Sequence, residues 1–278
     1  MYSEVYSVTL AGLDACIVKV ETDAGDGLPS FEMSGCLAAQ VTEARERVRV
    51  AVKNSGIILR PQKIMVNISP ADIRKAGNGF DLPVAAGILV ADGIIKTDML
   101  ESSVIIGELS LDGSVNAVRG IINCVAKAAQ MGFKRCIVPS CNVCEGEHIE
   151  GIEVLGVDSL KQLIGYFNGE SELIDAKKSR EHDVIHMKNE TCPDFADITG
   201  QVTAKRASLI AAAGHHNICY MGIPGTGKTM MAKRISTIML PLNESEKMEL
   251  TRIYSAAGKL EGRSIIEERP VRCPNYNT

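Results

Sequence analysis

Eight consecutive residues, Gly222, Ile223, Pro224, Gly225, Thr226, Gly227, Lys228 and Thr229, satisfy every fixed position of the spacing G-x-x-x-x-G-K-[ST]. The chemistry of that spacing is phosphate binding. Glycines let the backbone approach an anion closely, and successive N–H groups with a helix N-terminus aim partial positive charge at one point. Lys228 would reach the terminal phosphates of a nucleoside triphosphate, and the Thr229 hydroxyl would hold magnesium. The competing reading is a chance glycine turn before a helix, and the flanking elements decide against it.

Those elements must present the loop. Asn217-Ile-Cys-Tyr-Met221 is a short apolar run that reads as a buried parallel strand feeding it. Lys228 to Leu240 reads as the helix that follows, ended by Pro241. Earlier in the chain, Val18 and Val20, then Ile64, Val66 and Ile68, recur at period two and predict half-buried strands. Val41, Ala44, Val48 and Ala51 or Val52 recur at helical spacing up to Asn54, with Gly56 suited to the position after the helix. Asp112-Gly113 signals a tight hairpin. A helix from about Ala117 to Met131, strands at Cys136–Val138 and Ile152–Val157, and a helix capped by Asp158 and running toward Phe167 complete the first half. From Asn168 to Pro193 the apolar rhythm fades, so residues 169–193 read as a linker between domains at 1–168 and 194–278. The run Arg45-Glu-Arg-Val-Arg49 reads as a solvated helix face.

The chain has 278 residues, more than one domain usually needs, and is 45% hydrophobic with no Trp and 4% aromatic residues, which suits aliphatic α/β packing rather than an aromatic nucleic-acid platform. A net charge of −4 excludes a strongly basic footprint for the whole chain, though not a local one. No secretory signal or stretch long enough to span a bilayer is evident, so no membrane partner is expected. Nine scattered cysteines beside a nucleotide motif fit reduced thiols in a cytoplasmic protein. Cys136, Cys141, Cys144 and His148 could in principle offer zinc ligands, but a single C-x-x-C is a weak signal and Cys136 sits in an apolar run.

Taken with the loop, Gly27-Leu-Pro-Ser-Phe31, Glu43-Ala-Arg-Glu-Arg-Val-Arg49, Val66-Asn-Ile-Ser-Pro-Ala-Asp72, Gly79-Phe-Asp-Leu-Pro83, Asp194-Phe-Ala-Asp-Ile-Thr-Gly-Gln201, Ala204-Lys-Arg206, Gly214-His-His-Asn217 and Arg269-Pro-Val-Arg272 resemble the magnesium-chelatase-like AAA+ ATPases of the YifB/ComM type, nearly end to end. The resemblance implies an α/β chain: a Lon-protease-like α+β domain followed by the start of a P-loop AAA+ domain. It implies ATP and Mg2+ as cofactors, a hexameric homo-oligomer, and a motor that drives branch migration of DNA in recombination or natural transformation. It also places Asp197 to Gln201, with His216 and Asn217, near the adenine. Acidic Walker B residues, a sensor and an arginine finger are expected further along the family's sequence than these residues reach, and Pro274 to Thr278 departs from the His-rich stretch expected after Arg272. The motor is therefore expected to be truncated, with little or no hydrolysis and no catalytic residue assigned.

Three rivals compete. Lon-type proteolysis needs a serine activated by a lysine, whereas alignment with the Lon pattern puts Ile122 at the lysine position and Gly79 at the serine position. Ser69 and Lys75 are residues of the right type, but they read as a strand end and a solvated lysine. A magnesium-chelatase subunit would share the AAA+ core without the Lon-like domain. A nucleotide-binding remnant would bind without hydrolysing, because phosphoryl transfer also needs a positioned water and charge stabilisation.

Overall fold

A computed structural model of the protein describes residues 1–97, 99–175, 194–260 and 262–274. Two compact units emerge, Met1–Val184 with Thr251–Ser264, and Ile185–Leu250 with Ile265–Thr278. The architecture is mixed α/β with a parallel-rich sheet.

In the first unit, strands β1 (Tyr2–Ala11), β2 (Asp14–Gly25), β3 (Ser30–Ser34), β4 (Lys63–Ser69), β5 (Ser103–Ile105), β8 (Arg135–Pro139), β9 (Glu153–Val157) and β10 (Ile174–Asp175) form one sheet in the order β10-β9-β8-β5-β1-β2-β4-β3. The ladders β9/β8, β8/β5, β5/β1 and β4/β3 are parallel, and β1/β2, β2/β4 and β10/β9 are antiparallel. Helices α1 (Ala39–Asn54), α2 (Asp81–Ala91), α3 (Ile121–Gln130), α4 (Val143–Gly146) and α5 (Leu160–Asn168) cover it. Alternation along the central strands divides the core: Ile137 of β8 packs with α1, α2 and α5, whereas its neighbours Cys136 and Val138 pack with α3. A sheet covered on both faces needs apolar residues at consecutive positions, which accounts for the Cys-Ile-Val run.

The expected strands at Val18–Val20, Ile64–Ile68, Cys136–Val138 and Ile152–Val157 lie within β2, β4, β8 and β9. Helix α1 buries Val41, Ala44, Val48, Ala51 and Val52 as its spacing predicts. The hairpin forms as β6 (Glu108–Leu109) and β7 (Val115–Asn116), but its loop runs from Ser110 to Ser114 with one left-handed residue, Gly113 at φ 89°. The Asp112 carboxylate accepts from Ser114 N at 2.9 Å, an Asx turn in place of the two-residue turn the dipeptide suggested. The cap of α5 is Ser159 rather than Asp158: its hydroxyl accepts from Gln162 N, and Gln162 Oε1 accepts from Asp158 N. The residue three beyond Ser159 is a glutamine that can reach back, whereas the residue three beyond Asp158 is a lysine. Helix α3 begins at Ile121, four residues later than expected, after the left-handed Gly120. Of the stretch read as a linker, Ile174–Asp175 pairs with β9, and 176–193 lie outside the described residues.

Two polar residues depart from their sequence reading. Within the charge run, Arg45 and Arg49 are exposed, but Arg47 grips the fully buried Asp81 with two bonds, Nε to Oδ2 at 2.8 Å and Nη2 to Oδ1 at 2.9 Å. Helix periodicity explains this, because Arg47 stands three residues beyond buried Ala44 at the edge of the apolar stripe. Lys75, read as solvated, is fully buried. Its backbone is fixed by Lys75 N to Cys36 O and Ala38 N to Lys75 O, and its ammonium donates to Pro70 O. Burial pushes its pKa down from the ordinary lysine value.

The second unit contains α6 (Val202–Ala213), α7 (Lys228–Arg234), the 3-10 turn Ile235–Ile238 and most of α8 (Glu244–Ala256). Its small core is Phe195, Ile198 and Met231, with Ala204, Tyr220 and Ile238 packed against them. No helix among the described residues is long and apolar enough to cross a membrane.

Candidate functional site

The loop 222–229 leads directly into α7. Gly225 and Gly227 adopt left-handed backbone angles, φ 84° and 83°, which a side chain would strain. Gly227 is the residue at which the chain turns into the helix, so the N–H groups of Lys228, Thr229 and Met230 have no preceding turn to bond to, whereas Met231 N donates to Gly227 O at 2.9 Å. Within it, Lys228 Nζ donates to Ile223 O at 2.7 Å and lies 3.4 Å from Thr226 Oγ1, which itself donates to Ile223 O at 3.0 Å. Lys228 thus already curls over the loop. Thr229 is exposed in the first turn of α7, and Ile223 and Pro224 are exposed on the loop's crown.

Supports hold both ends. Before the loop, Tyr220 OH and Ser208 Oγ share a hydrogen bond of 2.7 Å that ties the incoming chain to α6. After it, Met231 enters the small core, Phe195 N donates to Thr237 Oγ1 at 3.1 Å, and Arg234 pairs with Asp197 at 3.4 Å. Asp194 and Asp197 cap the turn at Phe195–Asp197 reciprocally, so the segment 194–198 is held in the shape that braces α7. Arg269 adds a clamp to Glu246 at 2.8 Å and to Leu240 O at 3.3 Å.

The incoming segment differs from expectation. Asn217–Met221 adopts no regular secondary structure, and Met221 is 91% exposed. A buried parallel strand requires neighbours in a sheet, and among the described residues the second unit contains no strand. The helix also differs, being α-helical only to Arg234 and tightening to 3-10 through Ile238 before Pro241.

Of the residues placed near the adenine by resemblance, Gln201 comes to the loop, its Nε2 donating to Thr226 O at 3.4 Å from a left-handed backbone at φ 52°. Asp197 is spent on its cap and on Arg234, while His216 and Asn217 are exposed in the turn after α6. The bracing residues Ser208, Tyr220 and Arg234 carry no sequence signal of their own, because their partners are distant in the chain.

The other candidates scatter. Cys136 is buried in β8, Cys141 is exposed, and Cys144 Sγ lies 3.9 Å from Gly262 O, so these thiols and His148 do not converge as a ligand set. Burial pushes the neighbouring Cys124 thiol up to about 12. At the positions aligned with a Lon dyad, Ile122 is fully buried, and a side chain added at Gly79 would meet Ile106 and Val118 at 3.2 and 3.3 Å.

The donor set fits a polyphosphate with magnesium: left-handed glycines, a helix N-terminus, an ammonium already over the loop and an exposed hydroxyl. Comparisons with known proteins identify the family. Residues 20–142 match the family described as subunit ChlI of Mg-chelatase, and residues 194–278 match the family described as magnesium chelatase, subunit ChlI. Competence protein ComM of Haemophilus influenzae is 32% identical over 98% of this chain and 53% of its own length. The uncharacterized protein YifB of Escherichia coli is 33% identical over 99% of this chain and 53% of its own. A shorter match, 32% identical over 53% of this chain and 32% of the relative, is to DNA repair protein RadA of Halalkalibacterium halodurans. The chain spans about half the length of the ComM and YifB relatives it matches.

Proposed function

Because this chain belongs to the magnesium-chelatase-like YifB/ComM family, we propose that it binds ATP with Mg2+ at residues 222–229. The single observation that carries the reading is the Lys228 ammonium held over a loop with two left-handed glycines at the start of α7. The ATP polyphosphate would accept from the loop N–H groups and from Lys228 in place of Ile223 O, and Thr229 would hold the metal. Magnesium bound there neutralises phosphate charge. Gln201, through Thr226 O, positions the loop. Removing Lys228 deletes a charge-assisted bond worth about 1.5–3 kcal/mol, so Lys228→Ala should weaken ATP binding by roughly ten- to a hundredfold. Unchanged affinity would refute the site.

Beyond binding, we infer that a family member of the relatives' full length is an ATP-driven DNA-processing motor of the AAA+ type, cytoplasmic, hexameric and with a Lon-like first domain, to which this chain contributes nucleotide binding with little or no hydrolysis of its own. The support is the names carried by relatives, a competence protein and a DNA repair protein. Such a domain would lack peptidase activity here, since buried Ile122 and the crowded Gly79 can supply neither a base nor a nucleophile at the aligned positions. Retardation of four-way-junction DNA in a native gel only with Mg-ATP supports the motor. Equal migration with and without nucleotide counts against it. The family description favours a second reading, a magnesium-chelatase subunit, which binding of a porphyrin in preference to junction DNA would support.

A further inference from the structure

One groove in the first unit takes no part in the site above. It lies between the C-terminal half of α1, the loop 55–62 and β3, and encloses about 710 Å³. Its floor is aliphatic and aromatic, from Phe31, Val52, Ile57, Leu59 and Ile64. Its charge comes from Arg49, Lys53 and Arg60, and no carboxylate lines it. None of these three cations makes an ion pair with a described residue. Ile58, in the lining, is 93% exposed, and Leu28, beside the lining residue Pro29, is 89% exposed. Apolar side chains gathered in this way around an apolar groove mark an interaction surface rather than scattered surface residues.

The adjoining strand offers a second kind of valence. β3 pairs with β4 through Ser30↔Lys63 to Ser34↔Asn67 and ends the sheet. Its other edge has no strand partner among the described residues, so it presents main-chain donors and acceptors along the same line as the groove. Ser30 and Phe31 belong both to that edge strand and to the groove lining.

We propose that the groove and the β3 edge together bind an extended peptide of a partner protein, with apolar side chains at alternate positions and acidic residues flanking them. An added strand takes main-chain hydrogen bonds from the edge and turns every second side chain to one face, where the apolar floor lies. The cations choose an acidic partner and repel a basic one. The floor argues against nucleic acid, which uses exposed aromatic platforms, because the one aromatic ring in the lining, Phe31, is half-buried among aliphatic residues.

The test uses the full chain and three fluorescein-labelled probes in fluorescence polarisation. These are a peptide of alternating leucine and serine flanked by glutamates, the same core flanked by lysines, and a single-stranded DNA oligonucleotide. The glutamate-flanked peptide is expected to bind, and the exposed double substitution Arg49→Glu with Lys53→Glu to weaken it by about tenfold or more while admitting the lysine-flanked peptide. Arg60→Glu alone should weaken it in the same direction and serves if the double variant loses its circular dichroism spectrum. Equal binding of both peptides, tighter binding of the oligonucleotide through the same residues, or binding of no probe would each overturn the proposal.

Discussion

Removing Arg47 should destabilise the packing of α1 on α2 far more at neutral pH than in acid. Asp81 is fully buried, and its carboxylate has three donors: two guanidinium nitrogens of Arg47, at 2.8 and 2.9 Å, and Leu109 N at 3.2 Å. Even so, burial pushes the Asp81 pKa above the ordinary carboxylate value, with Arg47 pulling the other way. Arg47→Ala leaves one backbone donor to hold a charge in an apolar core, and breaking a buried pair in this way costs about 3–5 kcal/mol. The sign of the pH dependence follows. Without Arg47 the folded-state pKa of Asp81 rises further above its unfolded value. The folded state then binds the extra proton between those two pKa values, and the penalty is full above the folded pKa and shrinks as pH falls toward the unfolded one. The assay is amide hydrogen exchange of α1 and α2 in the intact chain, which reads one unit without requiring the whole chain to unfold in two states. At neutral pH the substitution should accelerate exchange of the most protected amides by roughly a hundred- to several-thousandfold, and by clearly less near pH 5 after correction for intrinsic rates. Asp81→Asn should cost less, because Arg47 is partly exposed and can turn to water. An Arg47→Ala effect that is small, or that grows toward acid, would refute the reasoning.

Further outcomes follow from the same contacts. Lys75→Met, which removes a desolvated ammonium and keeps most of the side-chain volume, should leave stability at neutral pH within about 1 kcal/mol of the parent, measured by the same exchange; a loss above about 3 kcal/mol would mean the bond to Pro70 O dominates. Ser159→Ala should cost about 1 kcal/mol, localised to α5, through loss of its cap to Gln162. Thr229→Ala should lower affinity for Mg-ATP by roughly fivefold while leaving metal-free ATP binding in chelator unchanged, since only the metal contact is removed; an equal loss in both conditions would remove Thr229 from the metal role.

How much could be read before the fold was known depended on whether a signal was local. The turn at residues 222–229 and the helix start after it were legible, because that geometry is set by glycines within eight residues. Strands β2 and β4 and helix α1 were legible because each carries its own period, and β8 and β9 because each is a short, largely apolar run. Helix α2 was not: all of its residues are buried, so it has no polar face to set a rhythm. Lys75 was misread because lysine usually seeks water, and only the pairing of its backbone with Cys36 and Ala38 draws it inside. Arg47 and Asp81 stand 34 residues apart, and no spacing rule joins them. Asn217–Met221 had the composition of a buried strand, but composition cannot supply the neighbours such a strand needs. Around the candidate site, Ser208, Tyr220 and Arg234 act as braces through contacts made by folding, and for that reason they were silent in the sequence, whereas Asp197 stood in a family marker but with a different role expected.

The central claim is that main-chain amides of a glycine loop, with Lys228 and Thr229, grip a polyphosphate. Isothermal titration of Mg-ATP into the purified chain, with its native circular dichroism verified, tests it most directly. The account predicts saturable heat at one nucleotide per chain that falls sharply in Lys228→Ala. No heat from the natively folded parent chain, or the same isotherm from both proteins, would contradict it.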